Sequence, residues 1–174
     1  MYGASEGLST LVLEVDTFGG QASTSPMIGA FAQAFDSDAL DASALMMAIV
    51  GFLPADDPKM RATIDAVADQ LTDERGFVYR YLTNDGLQGE EGTFAICTFW
   101  LAHCWALLGD TQRARDLFER LAACANDVGL LAEEIAPHSP RLLGNFPQAF
   151  THIGLVNAAW AIHQAEQRTG AHTV

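Results

Sequence analysis

Several residue classes are scarce in this chain of 174 residues, and each scarcity excludes a class of protein. Only 9 residues are lysine or arginine against 22 acidic ones, which gives a formal net charge of -13. Such a chain repels the phosphates of nucleic acid, so a nucleic-acid-binding protein is excluded and a neutral partner such as a sugar is favoured. The sequence contains no apolar run of membrane-spanning length and no basic segment leading into an apolar one at its N-terminus. We therefore expect no membrane span and no cleaved secretory signal.

Cysteine and histidine are few, and their spacing does not suit a metal site. Cys97, Cys104 and Cys124 form no CxxC pair, and the first two lie seven residues apart on one helix face. This pattern predicts reduced core thiols in a cytoplasmic protein, without a structural disulfide. The 5 histidines show no HExxH spacing, and His152 is interpreted as a packing or loop-bonding residue. With no GxSxG elbow and no phosphate-binding glycine loop, we expect no metal, no cofactor and no serine nucleophile.

The remaining composition, 49% hydrophobic and 18% charged, is that of a globular domain, and helical periodicity runs through it. Asp57 followed by Pro58 predicts the start of an amphipathic helix. The segment from Thr93 to Leu108 is apolar nearly all round and predicts a buried helix ended by Gly109. Three further helices are predicted. One runs from Asp41 to Leu53, and another runs from Pro147 to Arg168 and is closed by Gly170. The third is capped by Thr111 and has an apolar stripe at Ala114, Leu117, Phe118 and Leu121.

One short extended segment is predicted between these helices. It runs from Gly76 to Tyr81 and precedes the turn signal Asn84-Asp85-Gly86. The tryptophans Trp100, Trp105 and Trp160 lie in long apolar helices, and we interpret them as core residues rather than as a sugar platform.

The segment with the most candidate functional residues runs from Leu130 to Phe150, LLAEEIAPHSPRLLGNFPQAF. Glu133 and Glu134 follow an apolar run, so at least one carboxylate is expected at the edge of a core, where it can act as a base. Pro137, Pro140 and Gly144 exclude a continuous helix, and Pro147 suits a first helical position. On spacing alone, a solvated loop without chemistry is the commoner outcome for two adjacent glutamates.

A family resemblance favours the catalytic interpretation. Leu131-Ala132-Glu133-Glu134 and the following Leu143 to His152, LGNFPQAFTH, resemble the catalytic-base region of the glucoamylase and trehalase-like glycoside hydrolases of family 15. Three earlier segments are similar to the same family: DALDAS from Asp38, GFLP from Gly51, and GEEGTF from Gly89 with CTFWL from Cys97. The resemblance covers about Phe31 to Trp160.

The resemblance implies an all-α fold, part of an (α/α)6 toroid of paired inner and outer helices, with a short hairpin in a loop. We assign residues 30–174 to this partial domain and leave residues 1–29 as an unplaced N-terminal segment. It also implies inverting hydrolysis of an α-glucoside of the glucoamylase or trehalase type, with Glu133 as the base. An inverting pair of carboxyl groups stands roughly 6.5–9.5 Å apart, so this base needs an acid opposite it.

The family's acid, a glutamate directly after a tryptophan, has no counterpart here, because no Trp-Glu pair occurs in the sequence. Three readings stay open: a truncated enzyme lacking its acid, a noncatalytic carbohydrate-binding or interaction module, and a fragment without an independent role. A partial toroid leaves helix faces uncovered, which predicts a homo-oligomer or a complementary N-terminal polypeptide.

The remaining candidate residues are sugar contacts. Arg80 is the candidate for the family's loop arginine, against the alternative of an exposed strand residue. Glu134, Asn145 and Gln148 flank the base. Glu91 is a candidate contact and a conceivable substitute acid, although a carboxylate before a buried helix also suits the helix N-terminus.

Overall fold

A computed structural model describes residues 23–24, 29–33, 37–82 and 92–171. Glu91, the turn signal at 84–86 and most of residues 1–29 lie outside these ranges. The helices are α1 (Met46–Ile49), α2 (Pro58–Gln70), α3 (Ala95–Leu107), α4 (Thr111–Ala122) and α5 (Ala149–Ala171), and a 3₁₀ helix, Ala42–Leu45, precedes α1. The strands have two residues each: β1 (Ser23–Thr24), β2 (Phe31–Ala32), β3 (Thr93–Phe94), β4 (Glu134–Ile135) and β5 (Leu142–Leu143).

Helix α3 is the centre of the core, as its apolar sequence predicts. It packs against α5 and α4, and its buried residues include Phe99, Leu101 and Trp105. Gly154 lets α5 approach closely, because a Cβ there would lie 3.2 Å from Ile96 Cγ1 and 3.4 Å from Phe99 Cβ. The helix ends as predicted, with Gly109 in the left-handed conformation at φ 82°.

The amphipathic helices α2 and α4 bury the predicted stripes. In α2, Asp57 caps the helix by accepting hydrogen bonds from Lys59 N and Met60 N. In α4, Ala114, Leu117 and Leu121 are fully buried. The cap of α4 is not Thr111, as predicted, but Asp110, whose carboxylate accepts a hydrogen bond from Arg113 N at 3.3 Å.

Two other predicted helices have different bounds in the structure. The helix predicted from Asp41 to Leu53 ends at Ile49, since the chain turns through Gly51 at φ 70°. The last helix begins at Ala149, two residues after Pro147, because Gln148 N bonds back to Leu131 O at 3.1 Å. It also runs through Gly170 to Ala171 instead of stopping before it.

Several large apolar residues of α5 are exposed. Phe150, Ile153, Val156 and Trp160 are 67%, 55%, 62% and 62% exposed. The face of α5 that packs inward has small residues, among them Ala158, Ala161 and Ala165. Trp105 is buried as predicted, whereas Trp160 is not a core residue, because no element within the described ranges covers its side of α5.

The extended segment from residue 76 to 81 is partly confirmed. Val78 forms an antiparallel bridge with Thr72, and Val78 O accepts a hydrogen bond from Phe94 N at 2.8 Å. The sheet next to the candidate site is formed by other segments of the chain, and the sequence did not predict it. Strands β3, β4 and β5 form an antiparallel sheet in that order, with Glu134 paired to Phe94 on one side and Leu143 on the other.

Cys97, Cys104 and Cys124 are free thiols, and the first two are fully buried, as predicted. Burial raises the pKa of both to about 12. None of the helices in the described ranges combines the length and apolar character that a membrane crossing requires.

Candidate active site

Glu133 lies directly before β4, the central strand of the small sheet. Its backbone O accepts a hydrogen bond from Ala95 N at 3.0 Å, and its N donates to Asn145 O at 3.0 Å. These bonds extend the sheet by one residue and attach Glu133 to the first residue of α3. The carboxylates of Glu133 and Glu134 bind different partners, Asn145 and Gly92.

The carboxylate of Glu133 is fixed by Asn145. Its Oε2 accepts hydrogen bonds from Asn145 N at 3.1 Å and from Asn145 Nδ2 at 2.9 Å. Within the described part of the chain, Oε1 forms no hydrogen bond. The result is a half-buried carboxylate with one oxygen held and the other directed away from that contact.

The carboxylate of Glu134 instead binds the residue that precedes the neighbouring strand, β3. Its Oε2 accepts a hydrogen bond from Gly92 N at 3.1 Å. The contact needs a glycine, because a Cβ at Gly92 would lie 2.8 Å from Glu134 Oε2 and 2.8 Å from Ile135 O. Glu134 therefore joins β4 to the residue that precedes β3, a role that the sequence did not indicate.

The first turn of α5 holds the residues that precede Glu133. Leu131 O accepts from Gln148 N at 3.1 Å, and Leu131 N donates to His152 Nε2 at 3.3 Å. His152 Nδ1 lies 2.7 Å from Gln148 O. An Nε2 that accepts and an Nδ1 that donates describe the neutral Nδ1–H tautomer. The loop-bonding interpretation of His152 is confirmed.

Thr151 adds a further link between the same two segments. Its Oγ1 lies 3.0 Å from Ala132 O and 2.8 Å from Gln148 Oε1, and its single proton serves one acceptor at a time. The Leu-Ala-Glu-Glu motif and the Gly-Asn-Phe-Pro-Gln-Ala-Phe-Thr-His motif are thus one structural unit. Gln148 belongs to this unit, and its side chain contacts Thr151.

Arg80 is neither a free loop arginine nor a simple solvent-facing residue. Its Nε donates to Asp41 Oδ1 at 2.7 Å, and its side chain is 38% exposed. This hydrogen bond raises the pKa of Arg80. Val78, two residues before it, bonds to Phe94. Arg80 and Glu133 therefore approach the N-terminal end of α3 from two chain segments, with Glu133 bonded to Ala95.

Two surface grooves of the described residues lie away from Glu133. One of them, of about 370 Å³, is lined by residues that include His103, Leu107, Asn157 and Trp160. Glu91, the candidate substitute acid, lies outside the described residues. Among the residues that are described, no cluster of three or more His, Cys, Asp and Glu side chains could hold a metal ion.

The sequence model of the family described as glycosyl hydrolases family 15 matches residues 9–160 of this chain. The chain belongs to this family. The match includes Glu133 and its neighbours, and it also includes residues 9–29, which the motifs had left unplaced.

Curated relatives of the chain carry the name trehalase. The chain is 50% identical over 149 residues to the trehalase of Mycolicibacterium smegmatis, covering 84% of this chain and 22% of that protein. It is 51% identical over 142 residues to the trehalase of Mycobacterium tuberculosis, covering 80% and 21%. An archaeal trehalase, from Thermoplasma volcanium, is 37% identical over 135 residues, covering 78% and 22%. The chain spans about a fifth of the length of these relatives.

Solved glycosidase structures share the fold. A wild-type glycosidase superposes with a TM-score of 0.64 at 23% identity, covering 78% of this chain and 39% of that one. A variant glycosidase in complex with glucose gives a TM-score of 0.66 at 23% identity and the same coverage. The predicted fold class, part of a helical toroid with a short hairpin, is confirmed.

Proposed function

We propose that this chain carries the catalytic base of an inverting α-glucoside hydrolase of the trehalase type, and that Glu133 is this base. The observation that carries the proposal is the fixed carboxylate of Glu133, with Oε2 held by Asn145 N and Nδ2. The names of the relatives support a trehalase-type substrate over other α-glucosides. Their matched segments reach 50% identity across most of this chain.

The chemistry assigned to Glu133 is proton abstraction from water. Its Oε1 takes one proton as the water oxygen attacks the anomeric carbon, so a new carbon–oxygen bond forms with inverted configuration. The bond to the glycosidic oxygen breaks, and a general acid on the opposite face protonates that oxygen. Glu133 takes part in this step as the ionised carboxylate.

The acid must come from outside the segments that contact Glu133. No Trp-Glu pair occurs in the chain, and general acid assistance contributes roughly 100- to 10,000-fold to such reactions. We assign the acid to a complementary polypeptide or further part of the enzyme, since the relatives are about five times longer than the matched region. Arg80 and Gln148 are proposed to line the sugar site, while Glu91 keeps its candidate role as a contact.

The test compares glucose release from trehalose, maltose and isomaltose by the wild type and Glu133→Gln. The change is nearly isosteric, so the fold should persist while hydrolysis is lost. Glu119→Gln, an exposed glutamate on α4, is the matched control and should keep the wild-type rate. An unchanged rate in Glu133→Gln would remove Glu133 from the mechanism. No release by the wild type, alone or with an acid-bearing polypeptide, would remove the catalytic proposal.

A second candidate function is a noncatalytic carbohydrate-binding or interaction module, and the exposed face of α5 favours it. Phe150, Ile153, Val156 and Trp160 lie on this face and are all more than half exposed. An apolar strip of this kind marks an interaction surface. Either a second copy or a complementary N-terminal polypeptide is proposed to cover it.

Light scattering at micromolar concentration tests the second copy. The wild type is expected to be a dimer or larger, and Val156→Glu should shift it towards the monomer. Val128→Glu is the matched control, because Val128 is 70% exposed but lies in the loop after α4. A monomeric wild type would exclude self-association and leave the complementary polypeptide. Trehalose or maltose binding without turnover would favour the noncatalytic module over the enzyme.

A further inference from the structure

A general base works only if its proton-accepting oxygen is held in one place. Glu133 follows Ala132 and precedes β4, and its side chain is half-buried rather than packed in the core. Among the described residues, both hydrogen bonds to its carboxylate fall on the same oxygen, Oε2, and both donors belong to Asn145. The backbone adds a third link, from Glu133 N to Asn145 O at 3.0 Å.

We propose that Asn145 is a positioning residue for the base, and that its side-chain amide fixes which oxygen of Glu133 receives the proton. The inference rests on the proposed function and changes the role first expected for Asn145, which was a sugar contact. With Nδ2 at 2.9 Å from Oε2, the amide occupies that oxygen and leaves Oε1 for water. An aspartate or a hydrophobic residue at 145 could not donate this bond.

Gly144 makes this contact possible. Its φ of 71° is left-handed, and a Cβ there would lie 2.8 Å from Glu133 Oε2 and 3.0 Å from Glu133 Cβ. No side chain fits between the backbone of residue 144 and the carboxylate. Gly144 and Asn145 together form a cradle around Oε2, and the cradle is twelve residues beyond Glu133 in the chain.

The side chain of Asn145 contributes little to the stability of the fold. Asn145 is exposed, and the backbone bonds of residue 145 to Glu133 do not need an amide side chain. A variant that loses only the amide should therefore fold normally and change only the orientation of the carboxylate. The effect of the amide on the carboxylate can therefore be measured separately from any effect on the fold.

The first experiment measures kcat and KM for trehalose in Asn145→Ala, Asn145→Asp and Asn145→Gln. A misplaced catalytic group can cost about 100-fold. We expect kcat to fall by roughly 10- to 100-fold in Asn145→Ala with KM and the melting temperature unchanged, since trehalose does not contact the amide. Asn145→Asp should be at least as slow, because it places a second acceptor against Oε2. Asn145→Gln, which keeps the amide donor, should recover part of the rate.

The second experiment separates positioning from sugar binding. Trehalose affinity is measured by calorimetry in Glu133→Gln and in Glu133→Gln/Asn145→Ala. Equal affinities support positioning, whereas weaker binding in the double variant would return Asn145 to the role of a sugar contact and overturn the proposal. A rise in KM with an unchanged kcat in Asn145→Ala would also overturn the proposal.

A third measurement does not depend on turnover and so distinguishes this inference from the proposed function. NMR relaxation of the Glu133 side chain is compared in the wild type and Asn145→Ala. A side chain that becomes mobile only in the variant supports the cradle, even if the chain releases no glucose. Equal mobility in both proteins would overturn the inference, even if Glu133 proves to be the base.

Discussion

Arg75 donates a hydrogen bond from Nη2 to the backbone O of Ala136 at 2.9 Å, across 61 residues of sequence. Its Nη1 donates to Ser139 O at 2.7 Å, and Asp73 holds the guanidinium from the other side at 2.6 Å. The ring of Phe77 lies beneath it, with the guanidinium carbon 4.7 Å from the ring centroid. The turn between β4 and β5 is thereby attached to the turn after α2, and the strand that follows Glu133 is held in place.

Arg75→Ala should lower the free energy of unfolding by about 2 kcal/mol, because two partly buried carbonyls lose charged donors. Arg75→Lys should recover less than half of this, since an ammonium cannot reproduce the planar fork. Urea unfolding gives the values, and Arg141→Ala, at an exposed arginine nearby, is the control. Equal losses in Arg75→Ala and Arg141→Ala would contradict the attachment.

Gly92→Ala should lower the free energy of unfolding more than Gly129→Ala does. At Gly92 the new methyl would meet a backbone oxygen, Ile135 O, at 2.8 Å, so β3 and β4 must separate. Overpacking of this kind costs about 1–3 kcal/mol. At Gly129 the space is open and only the left-handed φ of 79° is strained, at about 1–2 kcal/mol. Thermal unfolding of the two variants measures the difference, and Gly92→Ala should also reduce any hydrolysis. A smaller loss at Gly92 would refute the close approach.

Asp57→Ala should remove the cap of α2 and lower the free energy of unfolding by about 1 kcal/mol. The carboxylate accepts from Lys59 N at 2.9 Å, and this donor lies in the first turn, where backbone N–H groups depend on a cap. Asp56→Ala, one residue earlier and exposed, carries the same charge change and serves as the control in chemical denaturation. If the control loses as much stability, the effect is one of charge rather than of capping.

Stability should fall at alkaline pH because of the buried thiols. Burial raises the pKa of Cys97 and Cys104 from 9.0 to about 12, so the folded state keeps protons that the unfolded state releases. Their contribution is fully present below about pH 9 and is lost as the pH rises towards 12. The urea midpoint should therefore decline less between pH 8 and pH 10 in Cys97→Ala/Cys104→Ala than in the wild type. Cys124→Ala, at the half-buried thiol, should change this slope less.

Much of the fold could be predicted from local sequence. The cap at Asp57, the stripe of α4 and the apolar α3 are consequences of helix geometry acting on neighbouring residues, and each is found. The family resemblance carried by Leu131 to Glu134 and by the motif up to His152 also indicated the family to which the chain belongs. These features depend on residues a few positions apart, which the chain displays directly.

Other features could not be predicted, because contacts between distant segments decide them. Periodicity shows that α5 has an apolar stripe, but only packing decides that the small residues face α3 and that Trp160 faces outward. The adjacent positions of Glu133 and Glu134 do not reveal that one carboxylate bonds Asn145 and the other Gly92. By itself the sequence determined the family, the helices and the candidate base. The tertiary structure alone decided how that base is held, because its partners come from a strand pairing and a close backbone approach that leave no local pattern.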